Sequence, residues 1–136
     1  EVKLTDFGTS RLLSDEQTVK TSTVVGTVAY MAPESIRGVY STASDVWGIG
    51  CSALQMFTGR MPWIDANCRD NISLIFKIGN LQKGEHLPPF GPEAATMSAD
   101  FVDFIQSACA FDRNERPTAA QLLQHPFVVG GDKEDQ

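Results

Sequence analysis

The chain has 136 residues, 42% of them hydrophobic and 21% charged, enough apolar material for one buried core and a composition unlike that of disordered or collagen-like chains. Eleven Lys and Arg against seventeen Asp and Glu leave a formal charge of −6, the wrong sign for a protein that binds by neutralising phosphates, so nucleic acid is not an expected partner. Three cysteines (Cys51, Cys68, Cys109) without a C-x-x-C pair suggest neither a disulfide framework nor a zinc site and read as reduced thiols of a cytoplasmic protein, and no apolar run reaches the roughly 18 residues of a membrane span.

Glu1 to Thr5 alternates as a short strand would, and residue 1 is Glu rather than Met. The expectation is a chain that begins inside a longer polypeptide. Asp6-Phe7-Gly8 follows, with a glycine suited to a turn, and Thr9 to Thr27 is a long stretch rich in Ser and Thr, the composition of a functional loop. Between Ser41 and Thr58, Val46, Trp47, Ile49, Cys51, Ala53, Leu54, Met56 and Phe57 fall on every side of a helix, the pattern of a helix buried all round. At about 25 Å it would be the central post of the core. Gly59 to Pro62 ends it.

A second helix is predicted over Asp70 to Ile78, carrying Ile72, Leu74, Ile75 and Ile78 and closing at Gly79-Asn80. Pro88, Pro89 and Pro92 exclude regular structure, and a third helix starts after Ser98 as N-cap, with Phe101, Ile105, Ala108 and Cys109 on its inner face. The last helix has the capping-box spacing Thr118-x-x-Gln121 and ends before Pro126, with Leu122, Leu123 and Phe127 turned inward. Gly130 to Gln136 reads as a polar, frayed tail, and Cys51 and Cys109, on apolar faces, as inert.

Asp6-Phe7-Gly8 alone is a weak motif that an ordinary turn could also produce. In order behind it come Gly26-Thr-Val-Ala-Tyr-Met-Ala-Pro-Glu34, Asp45-Val-Trp-Gly-Ile-Gly50 and Arg113-Asn-Glu-Arg-Pro117. The set resembles the C-terminal lobe of eukaryotic protein kinases over nearly the whole chain. The fold this implies is mainly α, a partial kinase domain over 1–129. It comprises an activation segment over 1–34, a helical subdomain over 35–129 and a short N-terminal strand remnant, with the tail at 130–136. The Gly26 to Trp63 string is most similar to the sterile-type group, especially kinases that phosphorylate mitogen-activated kinase kinases. Val28-Ala29-Tyr30 departs from the Pro- and aromatic-rich form of that group, and Gln55 replaces an acidic residue common at that point.

The resemblance implies a serine/threonine kinase that uses ATP and Mg2+. Asp6 takes the position of the carboxylate that binds the metal, a hard cation that prefers oxygen, and Thr5 that of the residue under the adenine ring. Phe7 would pack into an apolar column next to Gly8, and Thr27 would act near the acceptor hydroxyl. Thr23, then Thr21 and Ser22, are the candidate phosphorylation sites for an upstream activating kinase. Glu34 and Arg116 match a buried ion pair, and Asp45 a buried aspartate that accepts backbone N–H bonds from the catalytic loop. Trp47 is a core residue, while an exposed Trp63 would mark a docking surface. The implied partner is a protein substrate such as a mitogen-activated kinase kinase.

Nothing in the sequence matches the Gly-rich loop, the strand lysine with its glutamate, or the catalytic loop with its aspartate and asparagine. These are expected before Glu1, and the 136 residues alone are expected to be inactive. The competing expectation is a non-catalytic truncated kinase or pseudokinase that serves as an interaction module.

Overall fold

The computed structural model describes residues 1–13, 18–22, 26–83 and 88–130. Its axis is a helix whose start and stop are both local chemistry. The Ser41 backbone N–H donates to Ser44 Oγ at 3.1 Å as the helix α2 (Thr42–Thr58) begins. Gly59, at φ 68°, closes it by donating its N–H to the Gln55 carbonyl at 2.8 Å. Val46, Trp47, Gly50, Cys51, Ala53 and Leu54 are buried. The expectation of burial all round is corrected, because Ile49, Met56 and Phe57 are 41%, 81% and 44% exposed. Among the described residues, α2 is covered by helix α4 (Ala99–Ala108) and the turn Val28–Tyr30, which do not surround it.

Helix α4 starts at Ser98, whose Oγ accepts the Phe101 N–H at 3.2 Å, and it buries Phe101, Phe104, Ile105 and Ala108, with Cys109 just behind. The two helices meet closely at Gly50. A Cβ there would lie 2.5 Å from Cys109 Sγ and 3.0 Å from Ala108 Cβ, so the contact needs a residue without a side chain. Helix α3 (Asn71–Gly79) begins at Asp70, whose Oδ1 accepts the Ser73 N–H at 2.8 Å. Those bonds from Ser73 hold the Asp70 carboxyl below its ordinary value. Helix α3 packs on helix α1 (Pro33–Ile36) and buries Ile78, while Ile72 points to solvent at 65% exposure.

Three further expectations change. Glu1 to Thr5 forms no strand: Val2 and Leu4 are 98% and 86% exposed, and no described strand lies alongside to take their backbone hydrogen bonds. Pro92 opens a short 3-10 turn, Pro92–Thr96, since proline at a first helical position forfeits a donor that would be unpaired anyway. Downstream, the reciprocal Thr118–Gln121 bonds (2.8 and 3.2 Å) start α5 (Ala119–Leu122) as expected, but Pro126 begins a further helix, α6 (Pro126–Gly130). Leu122 is buried and Leu123 is 64% exposed. Phe127 is partly exposed with its ring 4.9 Å from Phe101 and 5.4 Å from Phe104. Residues 131–136 of the expected tail lie outside the described residues.

The two described strands are β1 (Val19–Lys20) and β2 (Val39–Tyr40), antiparallel, with Val19 opposite Tyr40 and Lys20 opposite Val39. The pairing extends through the Thr21 N–H, which donates to the Gly38 carbonyl at 2.9 Å. Gly38 has φ 79°, and a Cβ on it would lie 2.1 Å from the Thr21 carbonyl oxygen. Both constraints select glycine. Gly38→Ala is therefore expected to release β1 while the α2–α4 core stays folded. Amide hydrogen exchange would show lost protection at Thr21 and retained protection at Leu54 and Ile105; unchanged protection at Thr21 would refute the latch.

Candidate functional site

The densest polar chemistry lies around Arg116, whose side chain is fully buried, and Glu34, 15% exposed. Arg116 Nη1 donates to Glu34 Oε1 (2.7 Å) and the Ala43 carbonyl (2.9 Å), and Nη2 donates to Glu34 Oε2 (2.9 Å) and the Phe111 carbonyl (3.3 Å). Nε donates to the Ala110 carbonyl at 2.7 Å. A guanidinium has five N–H donors, and each has an acceptor here. Its plane also lies over the Trp47 ring, with Cζ 5.1 Å from the centroid, and Ser44 Oγ donates to Glu34 Oε1 at 3.1 Å. The sequence pointed to Glu34 and Arg116 only. The contributions of Ser44 and the carbonyls of Ala43, Ala110 and Phe111 depend on folding and leave no residue-type signature.

Glu34 lies in the first turn of α1, where Pro33 at the first helical position presets the backbone. Just before it, the Tyr30 hydroxyl donates to Gln55 Oε1, so the turn Val28–Tyr30 is fastened to the flank of α2. A neutral amide suits that bond, because its carbonyl oxygen accepts without a charge in a half-buried place. Trp47 and Trp63 are both core residues, 1% and 3% exposed, so the exposed Trp63 that would have marked a docking surface is not found. Trp63 is held in the left-handed region at φ 68° by the tight connection after α2. The Cys51 thiol is pushed well up by its hydrogen bond with Cys109 and by burial, which disfavours the thiolate.

The residues assigned to chemistry lie apart from this clamp. Thr5, Asp6, Gly8 and Thr27 are exposed, and Asp6 stands at φ 62°, ψ 63° before the turn Phe7–Thr9. Its carboxylate accepts no hydrogen bond among the described residues. Phe7 is 66% exposed rather than packed in an apolar column, because no described element lies over the turn that carries it. Asp45, expected to be buried, is exposed in the first turn of α2 and has no hydrogen-bond partner among the described residues. Partial desolvation without such a partner raises its carboxyl above the ordinary value. Of the three candidate phosphorylation sites, Ser22 is exposed, Thr21 is half-buried beside β2, and Thr23 lies outside the described residues.

Loss of one member of the clamp leaves the other as an uncompensated buried charge. Glu34→Gln is expected to destabilise the fold by about 3–5 kcal/mol. Arg116→Lys should also be costly, because an ammonium has three donors and no planar fork. Urea denaturation of the variants checks both, and a midpoint equal to that of the parent chain would contradict the assignment.

The protein kinase domain family matches residues 1–128. Mitogen-activated protein kinase kinase kinase 18 of Arabidopsis thaliana is 36% identical over 98% of this chain and 37% of its own length. From the same plant, mitogen-activated protein kinase kinase kinase 17 is 38% identical over 95% of the chain and 33% of its length. Mitogen-activated protein kinase kinase 1 is 36% identical over 94% and 36%. The chain thus spans about a third of the length of these relatives. A match that runs from the Asp6 turn to α6, on a mainly helical fold carrying the kinase motifs in order, makes the chain a member of the protein kinase domain family.

Proposed function

We propose that the chain is the C-terminal part of a serine/threonine protein kinase domain whose parent protein transfers the γ-phosphoryl of Mg-ATP to protein hydroxyls in a signalling cascade. The observation that carries this reading is Asp6: a family metal-ligand position filled by a carboxylate that is exposed, without a hydrogen bond among the described residues, and held in a backbone region that costs a non-glycine residue energy. Magnesium takes six oxygen ligands, commonly one or two carboxylates with phosphates and water, so a single free carboxylate fits a share of that shell. The ion would neutralise charge on the transferring phosphate. Thr5 would lie against the adenine, and Thr27 would hold the acceptor end of the site.

The supporting residues fit the same reading. Glu34 and Arg116 fix the end of the activation segment against α2, and Asp45 offers an unsatisfied carboxylate on the adjoining turn, suited to accepting N–H bonds from a loop supplied by the rest of the kinase. Substrates would include a mitogen-activated kinase kinase, and an upstream kinase would act on Thr23, Thr21 or Ser22, adding about −1.5 to −2 charge. No helix among the described residues is long and apolar enough to cross a membrane, and the site of action proposed is the cytoplasm.

A second reading, a non-catalytic interaction module, draws on the completeness of the core: Cys51, Ile78, Ile105, Ala108 and Cys109 are fully buried within these residues. Activity separates the two. The full-length polypeptide is expected to label a catalytically dead mitogen-activated kinase kinase from radiolabelled ATP, and Asp6→Asn to reduce the rate by about 100-fold or more while the fold is kept. No transfer by the parent protein, or full transfer by the Asp6→Asn form, would overturn the kinase reading.

A further inference from the structure

A cleft of about 250 Å³ opens beside the clamp, between α1 and the turn Arg113–Glu115. Pro33 and Phe111 give it apolar walls, and Arg37, Lys83 and Arg113 bring three cations to its rim. Two carboxylates also line it, but neither balances those cations fully. Both oxygens of Glu34 are taken by Arg116, and Asp112 Oδ1 accepts the backbone and side-chain N–H groups of Asn114 at 2.9 and 3.0 Å. With Glu34 balanced by Arg116, and Lys83 paired in part with Glu115, the described residues still leave more cations than carboxylates at the cleft.

The cations differ in how far they are engaged. Arg37 Nη2 donates to the Gly79 carbonyl at 2.7 Å, and Lys83 Nζ lies 3.7 Å from Glu115 in a pair open to solvent. Arg113 has no hydrogen bond from its guanidinium among the described residues, and its Nη1 is buried without a partner. A buried donor left unpaired is costly, and a charged planar fork is satisfied best by two oxygens of one anion.

We infer that this cleft binds the phosphate of a phosphorylated side chain on a protein partner, with Arg113 as the principal donor and Lys83 and Arg37 as supporting charges. Phosphate carries about −1.5 to −2 at neutral pH, opposite in sign to the cleft's excess charge, and has enough oxygens for the unpaired fork. The walls decide between a peptide and a free anion: Pro33 and Phe111 offer contact to the carbons of a modified side chain, which inorganic phosphate lacks. This site is separate from Asp6 and Thr27 and does not depend on whether the chain transfers phosphate itself.

The test is a fluorescence-anisotropy titration of the full chain, at about 0.15 M salt, with a labelled short peptide carrying one phosphothreonine, its unphosphorylated twin as control, and inorganic phosphate as competitor. The phosphopeptide is expected to bind about 10-fold or more tighter than its twin, and tighter than inorganic phosphate. Arg113→Gln should remove that advantage with a thermal melt equal to or above that of the parent chain, because among the described residues its guanidinium makes no hydrogen bond and its buried Nη1 is unpaired. Should that variant fail to fold, Lys83→Gln, which alters only an exposed pair, is expected to weaken the phosphopeptide by about 2-fold or more. Equal binding of twin and phosphopeptide, or unchanged affinity in a folded Arg113→Gln or Lys83→Gln form, overturns the proposal. Inorganic phosphate competing at the phosphopeptide's own affinity overturns it too, since the site would then serve a free anion.

Discussion

Removing a guanidinium from water is unfavourable unless every N–H finds an acceptor, and at Arg116 this condition organises three separate parts of the chain, with the Trp47 ring beneath. Glu34 comes from the end of the activation segment, Ala43 from the first turn of α2, Ala110 and Phe111 from the stretch behind α4, and Trp47 from the core face of α2. None of them can shift by an ångström without leaving a donor stranded. The clamp therefore acts as a geometric specification more than as a net source of stability, because well-packed apolar residues could fill the same volume at similar or lower free energy. What they could not do is set the activation segment at one fixed place against α2.

The segment is then unlike at its two ends. At Glu34 it is tied by a bidentate ion pair, at Tyr30 by a hydrogen bond to Gln55, and at Thr21 by the backbone of Gly38. At Asp6 and Phe7 the side chains are exposed, and the Asp6 carboxylate has no hydrogen-bond partner among the described residues. Among the described residues the carboxylates of Asp6 and Asp45 both lack a hydrogen-bond partner and stay open to solvent. Partial desolvation raises the carboxyl of Asp45 in the first turn of α2.

Much of this was legible in the sequence where the cause is local. Ser98 and Thr118–Gln121 announce helix starts because capping is chemistry between residues three apart, and both caps are present. The ordered motifs made Glu34 and Arg116 recognisable as a pair across eighty-two positions. What the sequence did not disclose depends on neighbours. Periodicity shows that Ile49 and Met56 could be buried, but not whether any element covers them. Val2 and Leu4 alternate as a strand does and still lack a strand to pair with. Pro126 reads equally as the end of one helix or the first residue of the next. The cleft at Arg113 was illegible for a related reason, since Arg37, Lys83 and Arg113 are far apart in sequence and meet only after α1 and the Arg113–Glu115 turn are set by the clamp.

The most direct test of this account is the state of the Arg116 guanidinium in solution. Nitrogen-15 resolved spectra near neutral pH average the Nη protons of an exposed arginine by rotation and rapid exchange with water. With all five donors engaged in a fully buried side chain, Arg116 is predicted to give five separate N–H resonances, each protected from exchange and each lost in Glu34→Gln. A single averaged signal, or five signals indifferent to Glu34, would contradict the claim that this one side chain fixes the activation segment to the helical core.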